Sequence, residues 1–191
     1  MARAETTSRT RPHTPLVIFI LGAMTAIGPL SIDTYLPALP QLARDLSTGP
    51  SQAQLTLSAC LFGLGLGQVI TGPLSDSLGR KVPLVLGLAG YALASLLCAL
   101  APSVTALTIL RAVQGATGAA GVVIANAIVR DLHSGAAAAR FFSTLMLVTG
   151  LAPILAPILG AQILRLGSWR VVFVVLAVVG ALLALAVSFG L

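Results

Sequence analysis

The sequence predicts an all-α, polytopic membrane protein of six transmembrane helices, and three observations carry that expectation. The 191 residues are 57% hydrophobic and 8% charged, against about 45–50% and about a quarter in soluble domains. Mean hydropathy is +1.02. The apolar residues fall into runs of roughly 19–25, each long enough to cross about 30 Å of hydrocarbon as a helix. The connections are short, and the alternating segments of about ten residues that a transmembrane β-barrel requires are absent.

The first run, Pro15 to Leu39, follows a polar tail (residues 1–14) carrying Arg3, Arg9, Arg11 and His13. Tail and run imitate a secretory signal, but a signal's apolar core is about 7–15 residues long. This run is longer and carries no convincing small-x-small cleavage site before Asp33, so it reads as a span. Pro29 inside it removes a backbone hydrogen bond and bends the helix. The second run, Ser51 to Leu74, holds Gly63-x-x-x-Gly67, two glycines on one face that let another backbone come close. It also holds a polar stripe, Gln54, Ser58, Gly65 and Gln68, whose plain reading is interhelical hydrogen bonding. Val82 to Leu100 forms the third run and Val104 to Ile128 the fourth. In the fourth, Arg111 shares a face with Gln114, Gly115, Gly118 and Ala119; a large cation above small residues points into a closely packed or water-lined interior. The fifth, Arg140 to Leu164, carries Pro153 and Pro157 on one face. The sixth, Trp169 to Leu191, begins with a tryptophan placed as an interfacial anchor. Bent helices around a cavity suit a transporter, and ordinary bundles also kink, so both readings stay open here.

The net charge of +6 has no basic stripe with interleaved aromatics, which excludes a nucleic-acid surface. Lys and Arg sit in the short connections instead. With the N-terminus inside, Arg3, Arg9, Arg11, Arg80, Lys81, Arg130 and Arg140 are cytoplasmic and Arg44, Arg165 and Arg170 are outside. That asymmetry favours cytoplasmic termini. Cys60 and Cys98 lie within spans, lack metal-ligand spacing and read as small core residues. Neither metal nor cofactor is expected. His13 and His133 lie in polar segments, so no span offers the histidine base that an intramembrane serine protease would need beside its nucleophile.

Asp33 and Arg111 stand apart. Each lies a short way in from the outer end of its run, at similar depth, and a charge at mid-membrane costs at least about 2.5–3.5 kcal/mol. They snorkel or pair to hold the bundle, or else Asp33 faces a cavity. There, burial and a nearby Arg111 would act on its proton in opposite senses, allowing it to bind a proton in one state and release it in another.

Between the second and third runs, Gly72-x-Leu74-x-Asp76-x-x-Gly79-Arg80-Lys81 resembles the signature loop of the major facilitator superfamily, with Ser77 where the family often has Arg. Arg111-x-x-Gln114-Gly115 resembles the fourth-helix motif tied to proton coupling in its drug exporters. Leu151 to Gly160 resembles the fifth-helix antiporter motif, with Ala152-Pro153 for the usual Gly-Pro. Pro29 to Pro40 is similar to the first helix of the bicyclomycin and chloramphenicol drug:proton antiporters. The resemblance implies one half of that fold and multidrug efflux, with hydrophobic drug-like molecules exported against incoming protons across a bacterial inner membrane. In its terms Asp33 and Arg111 couple protons. Gly72, Asp76, Gly79, Arg80 and Lys81 form a conformational switch. Gln114, Gly115 and Gly118 are the helix-four motif, and Gly150, Pro153, Pro157 and Gly160 the helix-five motif. Tyr35, Ser58 and Gln68 are substrate-cavity candidates. The implied partners are lipid, the drug-like substrate and the proton. Because such transporters have two six-helix halves, the chain is expected to work with a second half or a second copy. A non-transporting fragment or scaffold stays open as the alternative, and an intramembrane hydrolase as a weaker one.

Overall fold

The computed structural model describes residues 14–132 and 134–190; the expectations placed on Arg3, Arg9, Arg11, His13 and His133 lie outside the described residues. The elements are α1 (Thr14–Asp33), a 3-10 turn (Leu36–Ala38), α2 (Leu39–Asp45), α3 (Pro50–Leu78), α4 (Lys81–Ala99), α5 (Val104–Leu132), α6 (Gly135–Leu166) and α7 (Arg170–Gly190). Six segments are long and apolar enough to cross a membrane. They match the six apolar runs, and no strand occurs among the described residues.

Two features of the helices differ from the reading of the sequence. First, the opening span is not one helix to Leu39: α1 stops at Asp33. The ring of Pro37 would clash with the carbonyl four residues back, that of Asp33, and Pro40 would do the same to Leu36. The chain therefore passes through a 3-10 turn before α2 resumes with Pro40 in its first turn. Second, α3, α5 and α6 run about one turn past the apolar stretches. Hydropathy marks where lipid ends, but each helical hydrogen bond persists until a residue such as Gly79 breaks the backbone geometry.

In lipid, apolar side chains gain nothing by leaving the solvent, so helices associate through close packing and hydrogen bonds. The tightest seam joins α3 to α5. A Cβ on Gly63 would overlap the carbonyl of Ala112, one on Gly67 the carbonyl of Ala116, and one on Gly115 the carbonyl of Cys60. The two glycines of Gly63-x-x-x-Gly67 thus face two alanines at the same spacing, and α5 returns the contact with its own glycine. This seam places α5 in the middle, against α1, α3 and α4, while α7 packs on α4 and α6 is held chiefly by α1. The core between them is built from Leu21, Met24 and Ile27 of α1, Leu88 and Tyr91 of α4, Ile124 of α5 and Phe173 of α7. Cys60 and Cys98 are buried free thiols, as expected.

The outer faces of α3 and α6 are the most open in the bundle. Gln54, Ser58, Gly65 and Gln68 lie along one exposed face of α3. None of the three polar side chains has a hydrogen-bond partner among the described residues, so the interhelical bonding expected of this stripe is not made within the chain. The reason is rotational: with Gly63 and Gly67 turned to α5, the stripe faces outward. Gly65 and Gly150 likewise have open space where a Cβ would stand.

Gly63→Leu or Gly115→Leu should prevent the α3–α5 seam from closing and lower thermal stability in detergent by about 1–3 kcal/mol or more. Gly65→Leu, two residues on and on the opposite face of the same helix, should melt within about 0.5 kcal/mol of the parent chain. Equal losses at Gly65 and Gly63 would refute the seam.

Candidate functional site

Three polar clusters sit at different depths, and each is assembled from residues far apart in sequence. The deepest surrounds Arg111, which α5 carries into the bundle interior with 0% of its surface exposed. It does not snorkel. Its Nη1 donates to Gln114 Oε1 at 2.6 Å, Gln114 Nε2 donates to Ser95 Oγ at 2.7 Å, and Ser95 donates to the Tyr91 carbonyl at 2.7 Å. The guanidinium carbon lies 4.9 Å from the Tyr35 ring centre and 5.6 Å from that of Phe173. Arg111 Nε and Nη2 are buried without a hydrogen-bond partner, as is Thr34 Oγ1.

Neighbouring hydroxyls have defined donors. Ser31 gives its proton to the Ile27 carbonyl at 2.6 Å, so in its 2.7 Å contact with Tyr91 the phenol donates. Thr56 likewise donates to the Ala53 carbonyl, leaving Tyr35 to donate to Thr56 at 3.0 Å. A small cavity of about 10 Å³ lies between α1, α3, α4 and α5, lined by residues including Ser31, Cys60, Tyr91, Gln114 and Gly118.

Asp33 is half-buried at the last position of α1. Among the described residues it has neither a hydrogen-bond nor an ion-pair partner, and the structure does not bring it into contact with Arg111. The Pro37-enforced break turns the chain after Asp33, and the Tyr35 ring, two residues on, meets Arg111. Of the three residues proposed for a substrate cavity, Tyr35 is therefore packed in the core, and Ser58 and Gln68 lie on the open face of α3.

The end of the bundle where α2 meets α7 holds the second cluster. Trp169 has 0% exposure and is not a lipid-interface anchor. Its indole Nε1 donates to Asp45 Oδ2 at 3.1 Å and its backbone N–H donates to Gln41 Oε1 at 3.1 Å, tying α2 to the start of α7. The adjacent Arg170 lies 4.4 Å above the indole and donates to the carbonyls of Ala99 at 2.6 Å and Ala101 at 3.0 Å. These are free carbonyls at the end of α4, where a cation is favoured.

The third cluster is the signature loop. Gly79 has φ +79° and ψ 166°, a region open essentially to glycine alone. The turn swings Arg80 back over α3 and across to α5. Its Nη1 donates to Asp76 Oδ1 at 2.5 Å and Ser75 Oγ at 2.9 Å, and its Nε donates to Asp131 Oδ2 at 3.0 Å. Asp131 first, then Asp76, push the guanidinium above its ordinary range. Both carboxylates are more than half exposed, so each pair contributes only about 0–1 kcal/mol in water; what the cluster supplies is geometry. Lys81 is exposed, and Gly72 has open space around it. Gly160 of α6 packs against the Thr34 carbonyl with no room for a Cβ. Gly118 is pressed against Tyr91 and Ile27. Pro153 is exposed on the outer face of α6 and Pro157 is half-buried.

Asp131, Ser75, Ser95, Tyr91, Thr56 and Phe173 join these clusters without a sequence signal of their own. Only the α3–α5 seam, which also brings the inner ends of both helices together, would have pointed from Arg80 to Asp131.

Residues 16–191 match the Major Facilitator Superfamily, and the chain belongs to that superfamily. It is 47% identical over 175 residues to an uncharacterised MFS-type transporter of Bacillus subtilis, covering 91% of this chain and 44% of the relative. To a bicyclomycin resistance protein homolog of Haemophilus influenzae it is 40% identical over 174 residues, covering 91% and 44%. To a chloramphenicol resistance protein of Pseudomonas aeruginosa it is 34% identical over 157 residues, covering 82% and 38%. The chain thus spans less than half the length of these relatives. A crystal structure of a bacterial homolog of the human lysosomal transporter Spinster, in an inward-facing, unoccupied conformation, shares the fold. Its TM-score is 0.77 at 18% identity, covering 94% of this chain and 43% of that one.

Gln114→Leu should strand Arg111 Nη1 and lower stability by about 1–3 kcal/mol, read as a loss of Tm in detergent. Gly79→Ala should cost about 1–3 kcal/mol through backbone strain alone, with helix content by circular dichroism unchanged.

Proposed function

We propose that this multi-pass chain is half of a proton-coupled exporter of hydrophobic, drug-like molecules, lying in a bacterial inner membrane with its signature loop on the cytoplasmic side. The observation that carries the reading is Asp33, a carboxylate inside the first span without a partner among the described residues. An acid held there unpaired is expensive unless it exchanges a proton. The neighbouring bundle supports this reading: a fixed cation, Arg111, is held apart from Asp33 in the core. The names of the relatives, bicyclomycin and chloramphenicol resistance among them, support the drug-like substrate.

The open faces of α3 and α6 serve as the wall against which a second six-helix half packs. The outward stripe of Gln54, Ser58 and Gln68 then gains polar partners, and Gly65 and Gly150 gain neighbours. Drug binds between the halves, and the Arg80 cluster, bridging α3 and α5 at the inner end, holds one access state as they rock. No covalent chemistry is assigned to the chain, because its relatives named for a function are transporters and resistance proteins.

The experiment is dye flux from proteoliposomes under an imposed pH gradient. The chain should exchange a drug-like dye for protons, alone or once a second six-helix half is reconstituted with it, and Asp33→Asn should reduce proton movement to that of empty vesicles. Coupled exchange that survives Asp33→Asn removes Asp33 as the carrier. No exchange in either format removes the transport reading.

A further inference from the structure

The burial of Arg111 is unusual because nothing of opposite charge accompanies it. Four carboxylates lie among the described residues: Asp33 is unpaired, Asp45 accepts from Trp169, and Asp76 and Asp131 are held by Arg80. None reaches Arg111. One nitrogen of its guanidinium is hydrogen-bonded and two are buried and bare. A cation left in this way is among the most unfavourable arrangements a bundle can hold, so something else must favour it.

The aromatic rings fill that place. The faces of Tyr35 and Phe173 lie 4.9 Å and 5.6 Å from the guanidinium carbon, inside the distance at which a ring quadrupole attracts a cation. The two rings also touch each other, with centres 5.2 Å apart. Phe173 stands edge-on to Trp169, 6.0 Å away. Each ring has its own support: Tyr35 by its hydroxyl on Thr56, Phe173 by the edge-on indole of Trp169, whose Nε1 is held by Asp45 and whose backbone N–H is held by Gln41. A continuous packed chain therefore runs from α2 at the outer end, through Trp169 and Phe173, to the Arg111 charge.

We propose that Tyr35 and Phe173 are positioning residues for Arg111, an aromatic cage that stands in for a counter-ion and ties the placement of this charge to the α2–Trp169 clamp. The proposal rests on the reading that Arg111 belongs to the coupling machinery. On this account what matters at positions 35 and 173 is a ring face. The Tyr35 hydroxyl only steadies its ring.

The test is a thermodynamic cycle in lipid nanodiscs joined to a transport measurement. Tyr35→Leu and Phe173→Leu each lower Tm, and in an Arg111→Met background each loss shrinks to about half or less, because contacting groups are not additive. Losses of equal size in both backgrounds overturn the cage. In proteoliposomes the Leu variants lose about tenfold in Vmax with KM for the dye held within about twofold, while Tyr35→Phe and Phe173→Tyr stay within about threefold of the parent. Full exchange by either Leu variant, or equal losses from the Leu and ring-conserving variants, overturns the positioning role. If a Leu variant does not fold, adding Arg111→Met restores folded protein, and failure to restore it overturns the proposal. If the parent chain exchanges no dye even with a second half, the transport reading fails and the Tm cycle alone decides the cage.

Discussion

Close backbone approach between α3 and α5 organises this bundle. Water drives helices together in a soluble protein, but hydrocarbon is as apolar as leucine and provides no such drive. What remains is dispersion and hydrogen bonding, both of which need short distances. Gly63, Gly67 and Gly115 supply them by meeting carbonyls of the facing helix where a methyl group could not fit. With α5 drawn into the centre, Arg111 has nowhere to snorkel, because its face turns toward α1, α4 and α7. The same rotation that buries the glycines of α3 turns Gln54, Ser58 and Gln68 outward. One contact thereby fixes both the interior charge and the exposed face.

The charge so buried is balanced locally. Gln114 satisfies one nitrogen and links it to Ser95 on α4, while two ring faces cover the guanidinium, one from the turn after α1 and one from α7. Four of the membrane-crossing elements thus meet at one side chain. The outer clamp of Trp169, Gln41, Asp45 and Arg170 works by the same logic, pairing buried backbone ends with side chains from other elements. At the opposite end Arg80 joins α3 to α5 on an exposed surface. There both carboxylates are more than half exposed and the energies are small.

The relation between Asp33 and Arg111 depends on the break after α1. A continuous helix would have carried Tyr35 a further two residues round the same cylinder. Instead Pro37 ends the helix at Asp33, the carboxylate stays at the margin and the aromatic ring turns inward. The two charges that stand at similar depth along the chain are therefore kept apart, one half-buried and one enclosed. Separation of this kind leaves Asp33 without an ion-pair partner among the described residues.

The sequence by itself determined the number of spans, the helical class and, by resemblance, the superfamily. Hydropathy over some twenty residues is a property of the chain alone, and Gly63-x-x-x-Gly67 fixes a helix face wherever its partner lies. Gly79 was legible as a member of the signature loop, but its positive φ was not. Arg111 was legible as a buried candidate, but its ring partners were not, because Tyr35 and Phe173 stand 76 and 62 residues away and aromatic residues are ordinary in membrane spans. Trp169 misled for a related reason. A tryptophan near a span end has the depth of an interfacial anchor, and depth is all that a hydropathy profile reports. Whether it faces lipid or the bundle depends on helix rotation, which only the packing of α2 and α7 decided. The Asp131 partner of Arg80, the outward turn of the α3 stripe and the parting of Asp33 from Arg111 belong with it. Each depends on which helices are neighbours and how far each is turned, and those are set by contacts between distant segments.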